Sequence, residues 1–279
     1  MNTATTIKNS TAIALGGFDG MHVGHQKLFS ELGDAGCIVV IETGYANLTP
    51  QNQRENFTYY PVIYLELGTI RHLDGEGFIA LLNEKFPKLE KIVVGYDFHF
   101  GKNRKYNFDD LKILFSGEVV VVQEVSQNGD SIHSHKIRAK LQIGDIKGAN
   151  AFLAHNYTIK GEQIAGQGIG KKELVATINI QTDGYLTPKE GVYVTLTQID
   201  DEEHYHPSVS FVGHRVTTDG SFAIESHILD GEVICNEKAA ISFISFIRNN
   251  EKFDTIDELK VAIKKDIAVA SKELKLLQL

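Results

Sequence analysis

Two histidines three positions apart, His22 and His25, sit in the stretch Gly16-Gly17-Phe18-Asp19-Gly20-Met21-His22-Val23-Gly24-His25. The stretch follows the apolar run Ala12 to Leu15 and leads into His25 to Leu32, an order that reads strand, glycine turn, helix. Glycines let the backbone turn tightly and come close to a ligand, and the first helical turn offers N–H groups to an anion. The stretch has no Ser or Cys nucleophile, so acyl transfer is not its chemistry. Two imidazoles facing one anion suit the gripping of phosphate while it changes partners. The same residue types also fit an ordinary glycine turn with surface histidines, or a metal-ligand pair, and the short motif leaves those readings open.

The elements around the turn come in alternation. Cys37 to Ile41, Val62 to Leu65, Ile92 to Gly95 and Glu118 to Val122 read as buried strands, and Gly77 to Phe86 and Phe108 to Phe115 as helices. Such alternation predicts a parallel sheet covered on both faces, with a ligand at the carboxyl ends of the strands. A polar, irregular segment, Glu42 to Pro61, interrupts it. Ser134 is placed to cap a helix, and Ala149 to Leu153 reads as helical.

Near His155-Asn156-Tyr157 the alternation stops, which predicts two domains, 1–155 and 156–279. The second half reads as short strands over Tyr157 to Ile159, Val175 to Ile180, Val192 to Thr197, Ser208 to Val212, Phe222 to His227 and Glu232 to Cys235. Gly, Asp and Asn turns separate them, a pattern that favours a small antiparallel barrel. Thr255-Ile256-Asp257-Glu258 is a capping box, and Ile256, Leu259, Ile263, Ile267, Ala270 and Leu274 form an apolar stripe able to seal one side of that barrel.

Composition sets the bounds. A chain of 279 residues, 42% hydrophobic and 23% charged, has apolar material for two cores. No run approaches a membrane span and the first residues are not of signal-peptide type, so cytoplasm is the expected compartment and no membrane partner is expected. Cys37 and Cys235 form no disulfide framework and no metal spacing, and both read as small core residues. A net charge of −8 argues against a broad nucleic-acid face, though not against a local phosphate pocket.

GGFDGMHVGHQ resembles the signature of the bacterial bifunctional riboflavin kinase/FMN adenylyltransferase family, often called FAD synthetase, whose first domain belongs to the HxGH nucleotidyltransferase superfamily. That resemblance implies a Rossmann-like α/β domain followed by a small antiparallel β-barrel riboflavin kinase domain with a C-terminal helix. Further motifs fall in the family's order. Gly95-Tyr96-Asp97-Phe98-His99-Phe100-Gly101 is similar to VGxDFxFG, which implies a flavin-binding role for Asp97. Ser134, Ile137 and Arg138 match SSTxIR, with His133 and His135 in place of its first serine and its threonine. In the second half Gly166, Gly168, Gly170 and Lys171 form a glycine-rich loop suited to ATP phosphates. Thr177 and Asn179 remain of the PTAN tetrad and are implied to place Mg²⁺ and phosphate. Pro188 to Tyr193 matches PKxGVY; Gly213 and Arg215 are the firm matches in the next stretch. Glu225 to Asp230 resembles ExHLLD, whose Glu is the general base, and Arg248 matches an arginine at the start of the last helical region, implied to lie against the isoalloxazine.

The resemblance implies a two-step enzyme: the barrel phosphorylates riboflavin to FMN with Mg-ATP, and the α/β domain adenylates FMN to FAD with release of pyrophosphate. His22, His25 and Glu225 are its implied catalytic residues. Gly17, Phe18, Asp19, Gly24, Ser134 and Arg138 are implied nucleotide ligands. Riboflavin, FMN, FAD and ATP are then the partners. The family's TFxPHP motif has no match in Ile41 to Pro50. The alternatives are a chain with riboflavin kinase activity only, or a non-catalytic flavin-binding regulatory protein.

Overall fold

The computed structural model describes residues 8–165, 175–217, 219–231 and 233–277. The chain divides into two compact units, Met1–Ser134 and His135–Leu279.

In the first unit, β1 (Ala12–Gly16) is followed by α1 (Val23–Phe29), β2 (Gly36–Glu42), β3 (Val62–Glu66), α2 (Gly75–Lys85), β4 (Lys91–Gly95), α3 (Phe108–Leu114) and β5 (Glu118–Val122). The five strands form one sheet in the order β3-β2-β1-β4-β5, and every pairing is parallel. Period-two side-chain alternation gives the three inner strands two buried faces, while the edge strands β3 and β5 are mostly half-buried. On one face Ile13, Leu15, Val39, Ile92 and Val94 pack with Phe78, Leu82 and Leu111 of α2 and α3. On the other Ala12, Ala14, Ile38, Val40 and Val93 pack with Leu28 and Phe29 of α1. The chain steps from β1 to β2 and β3 on one side and takes up β4 and β5 on the other. The carboxyl ends of β1 and β4 therefore flank the point where the strand order reverses, the position at which doubly wound sheets bind ligands.

The segment after β2 carries more order than its composition predicts, since Gln51–Phe57 is a 3₁₀ helix. Its Arg54 is 1% exposed, although the surrounding residues are polar.

The second unit is a closed six-stranded barrel preceded by α4 (Ser134–Ile143) and α5 (Ile146–Leu153). Its strands are β6 (Thr158–Ile164), β7 (Ile178–Gln181), β8 (Gly191–Ile199), β9 (His206–His214), β10 (Phe222–Ile228) and β11 (Lys238–Asn249), in the spatial order β6-β7-β10-β9-β8-β11 with β11 returning to β6. Both helices are tied to the barrel: Lys189 N–H donates to the Leu141 carbonyl and Asn150 Nδ2 to the Phe243 carbonyl.

Strand β8 is buried on both faces. Val192, Val194 and Leu196 meet Ala270 and Leu274 of α6 (Ile256–Leu276), with Ile267 packed beside them. Thr195 and Thr197 alternate with them and join Ser208, Ser210 and Ser226 in a hydroxyl network of 2.7–3.0 Å contacts. The capping box of α6 is formed, with Thr255 Oγ1 accepting from Glu258 N–H at 3.2 Å.

Two expectations are corrected here. Residues 233–235 form no strand: they are irregular, and directly after them the N–H groups of Asn236, Glu237 and Lys238 wrap the Asp200 carboxylate. Cys235 lies just before that wrap. Arg248, matched to an arginine at the start of the last helical region, stands instead near the end of the twelve-residue β11, a strand absent from the sequence expectations. β11 pairs with β6 on one side and β8 on the other, which holds Ala239 to Ile247 extended although Ser242 and Ser245 break the run without giving it a period-two alternation.

Candidate functional site

The signature turn connects β1 to α1 at the carboxyl edge of the sheet. Its backbone is unusual: Phe18 and Met21 take φ of 49° and 46°, and Gly20 a φ of 87°. Left-handed conformations cost non-glycine residues free energy and persist where the surroundings over-determine them. Here the surroundings are the polar segment after β2. The Asp19 carboxylate accepts from the N–H groups of Asn47, Leu48 and Thr49 at 2.9–3.2 Å, and Thr49 Oγ1 accepts from Gly20 N–H at 2.8 Å. Arg54 closes the turn from below: Nε donates to the Gly17 carbonyl at 3.1 Å, and Nη1 to Glu42 Oε2 at 2.9 Å and to the Gln51 carbonyl at 3.0 Å.

His22 is the N-cap of α1, its Nδ1 accepting from His25 N–H at 3.3 Å. The two imidazoles stack, with centroids 3.5 Å apart and planes 19° from parallel. Gly24 suits this fold-back, because a Cβ there would lie a tight 3.1 Å from the His22 ring. His22 is buried and His25 half-buried, the ring of His25 meeting Phe18 edge-on at 5.2 Å. Surface histidines on a plain glycine turn are therefore not what the structure contains. Burial first, then the neighbouring His22, Arg54 and His133, hold the His25 imidazole well below its usual range. At neutral pH it is an uncharged ring that can offer a hydrogen bond to a phosphate oxygen.

Ser134 is the first residue inside α4 rather than a cap outside it, and its Oγ donates to the Asp19 carbonyl at 2.8 Å. Both residues belong to the first unit, whose last residue is thereby joined to the signature turn. Beside it, His133 Nε2 and Tyr96 Oη both meet Glu124 Oε1 at 2.9 Å. Arg138 lies four residues further along α4, half-buried, in the second unit. Asp97 is exposed, directly past the carboxyl end of β4. Phe98 and Phe100 of the same motif pack into the core beneath, with ring centroids 5.7 Å apart.

The second unit gathers another constellation on the barrel. Asn179 on β7 and Glu225 on β10 are direct cross-strand partners. Arg215 bridges them, Nε donating to Glu225 Oε1 at 2.7 Å and Nη2 to Asn179 Oδ1 at 2.8 Å. Asn179 Nδ2 in turn donates to Thr177 Oγ1 at 3.2 Å. His227 Nδ1 meets the Ala176 carbonyl at 2.8 Å, fastening the segment before β7 to β10. Thr177, Asn179 and Glu225 thus stand together, with a carboxylate beside neutral oxygen donors. The expected loop residues Gly166, Gly168, Gly170 and Lys171 lie outside the described residues.

Arg248 is engaged within the unit. Its Nε and Nη2 grip Asp266 of α6 at 2.9–3.2 Å, and its guanidinium lies over the Phe253 ring at 5.6 Å.

Two residues of these constellations were not among the expected site residues. Arg54 lies in a polar segment without periodicity, and its link to Gly17 spans 37 positions. Arg215 was visible as a match to the family pattern, but its partners Asn179 and Glu225 become neighbours only when the barrel closes.

A riboflavin kinase family model matches residues 153–274, and an FAD synthetase family model matches residues 4–37. Curated proteins described as bifunctional riboflavin kinase/FMN adenylyltransferase are similar along nearly their whole length. The one from Listeria monocytogenes is 28% identical over 91% of this chain and 89% of its own. That from Pseudomonas fluorescens is 28% identical, over 92% and 90%, and that from Escherichia coli K12 24%, over 95% and 93%. A crystal structure described as a macrolide-efflux protein from Streptococcus pneumoniae superposes with a TM-score of 0.80 at 27% identity, covering 94% of each chain. That description names an efflux function, whereas no helix among the described residues of this chain is long and apolar enough to cross a membrane.

Proposed function

We propose that this chain, similar over both units to the bifunctional riboflavin kinase/FMN adenylyltransferases, makes flavin cofactors in two ATP-dependent steps. The kinase is assigned to residues 156–279 and the adenylyltransferase to residues 1–155. The observation that carries the reading is the apposition of Glu225 and Asn179 across β7 and β10, with Thr177 beside them.

In the kinase step Glu225 takes the proton of the riboflavin 5′-hydroxyl while that oxygen attacks the γ-phosphate of ATP and ADP departs. Arg215 occupies Oε1 of the carboxylate, so the other oxygen is the one that meets the hydroxyl. Thr177 and Asn179 supply neutral oxygens, the donor type a hard cation takes when it arrives already bound to phosphate. They would hold Mg²⁺, which neutralises phosphate charge. Asn179 Oδ1 accepts from Arg215, so this role asks the guanidinium to give way there while it keeps Glu225.

In the adenylyl step the FMN phosphate is itself the nucleophile, attacking the α-phosphate of ATP as pyrophosphate leaves. No catalytic Ser or Cys is called for. His22 and the uncharged His25 hold and orient phosphate oxygens over the glycine turn, with Gly17, Phe18 and Gly24 forming its backbone. Asp19 acts by fixing the turn through the N–H groups it accepts. Ser134 and Arg138 at the start of α4 line up the triphosphate, and Asp97 at the end of β4 meets the flavin. Arg248 belongs to the kinase step, where it is kept as a contact to the isoalloxazine although Asp266 and Phe253 already engage its guanidinium.

The test is chromatography of flavins over time after the protein is mixed with riboflavin, ATP and Mg²⁺. FMN that appears and then gives way to FAD is the expected result. FMN that accumulates, even when supplied directly, removes the adenylyl step, and no product at all removes both.

A further inference from the structure

We propose that the chain carries a site for a zinc-type divalent transition metal, built from His204, His206 and Asp230 at the end of the barrel away from Glu225. His204 lies in the loop between β8 and β9, His206 opens β9, and Asp230 follows β10 by two residues. The antiparallel pairing of β9 with β10 sets Ser208 opposite Ile228, and Leu229 N–H donates to the Pro207 carbonyl at 2.8 Å. The start of one strand and the exit of the other are therefore held side by side. Glu225 pairs with Phe211, five residues beyond His206 on β9 and so about 17 Å away at the strand rise.

The spacing is that of a coordination shell. His206 Nδ1 is 3.5 Å from Asp230 Oδ1, His204 Nε2 is 3.9 Å from Asp230 Oδ2, and the three ligand atoms lie within 4.8 Å of one another. Zinc bonds of ~2.0–2.1 Å in a tetrahedron separate ligand atoms by about 3.3–3.5 Å, so small side-chain shifts bring all three onto one ion. The two imidazoles stand edge to face, with centroids 4.5 Å apart. Among the described residues this is the one such group of His, Cys, Asp and Glu.

The second ring nitrogen of His206 supplies an independent argument. Its Nε2 meets Glu202 Oε2 at 3.4 Å, while its Nδ1 is shielded from solvent and has no hydrogen-bond partner. A carboxylate on Nε2 favours the tautomer with the proton there, as in carboxylate–histidine–metal arrangements. Nδ1 itself lies 3.5 Å from Asp230 Oδ1 without hydrogen-bond geometry, and an ion between the two would give both atoms a partner. Two imidazoles with one carboxylate select a borderline metal over Mg²⁺ or Ca²⁺, which prefer oxygen alone. His204 is 63% exposed, which gives the ion a way in and leaves a fourth position for water. Bound metal would pin the β8–β9 loop to the exit of β10.

The test uses the whole chain, stripped with chelator and kept free of flavin and Mg²⁺. Zn²⁺ is titrated by calorimetry and Co²⁺ by visible absorption, in the natural chain and in the His204→Ala and His206→Asn variants. His204→Ala removes an exposed side chain and keeps the test independent of folding. The expected result is one equivalent of metal in the natural chain, tetrahedral Co²⁺ bands, and at least tenfold weaker binding with loss of those bands in both variants, since loss of even an outer-shell partner costs about 10–100-fold. Equal binding by all three proteins, or uptake only at millimolar metal, overturns the proposal.

Discussion

Arg215 and Glu225 are joined on the barrel surface by a 2.7 Å hydrogen bond from Nε to Oε1, and the same guanidinium reaches Asn179 on the neighbouring strand. The arginine is itself held at its base: its N–H donates to the Ser221 carbonyl at 2.9 Å and its Nη1 to Ser221 Oγ at 2.7 Å. The carboxylate is thus fixed in orientation by a side chain rooted in the loop between β9 and β10.

Glu225→Gln keeps the shape and removes the base, so FMN formation should fall by about 10²–10⁴-fold in kcat, the usual size of a general-base contribution. FAD formation from supplied FMN should stay within about twofold. Arg215→Met should lower kcat for FMN formation less than Glu225→Gln does, because the base survives but loses its orientation. Both are read by separate assays with riboflavin and with FMN.

His25→Ala should abolish FAD formation and leave FMN formation intact, since the two histidines lie in one unit and Glu225 in the other. Equal loss of both products would overturn the division of labour between the units.

The turn around these histidines was legible from its residues, whereas what holds it was not. Gly24 announces a close approach, but the Asp19 contacts to Asn47, Leu48 and Thr49 span 28–30 positions and leave no local periodicity. The parallel sheet could be read because its strands are short apolar runs separated by helical spacing. β11 could not, because its Ala239 to Ser245 are buried by neighbours on both sides, and a strand buried on both faces loses the alternation that identifies one. The capping box at Thr255 and Glu258 is local in sequence and therefore survived the passage to structure unchanged.

Arg54→Met should destabilise the first unit by about 3–5 kcal/mol, the cost of leaving a buried ion-pair partner alone. The ion pair is well shielded, Arg54 being 1% and Glu42 15% exposed. The variant should also lose FAD formation, because the Gly17 carbonyl loses its anchor. Denaturant unfolding gives the first effect and the FMN assay the second.

Acid should weaken the first unit through His25. Its folded-state imidazole is held below the usual range by burial, so between about pH 6.5 and that lowered value the unfolded chain binds a proton the folded chain refuses. Stability is full above about pH 6.5 and declines as pH falls, by at most about 1.4 kcal/mol per pH unit from this residue. His25→Gln should flatten that part of the profile in denaturant titrations from pH 7 to 5; an unchanged slope would remove His25 as the cause.

The hydroxyl network inside the barrel makes a different kind of prediction. Ser226 meets Thr197 at 2.7 Å and Ser210 at 3.0 Å, and all three side chains are buried. Ser226→Ala takes one partner from each neighbour, and hydroxyls left short of partners away from water cost about 1–3 kcal/mol. Thr197→Val removes the opposite hydroxyl and leaves Ser226 and Ser208 short instead. Combining the two removes both ends of the Thr197–Ser226 contact at once, so the double variant should be less destabilised than the sum of the singles. Calorimetric unfolding of the three variants measures the coupling. A strictly additive result would mean that these hydroxyls act as independent packing groups and not as a network.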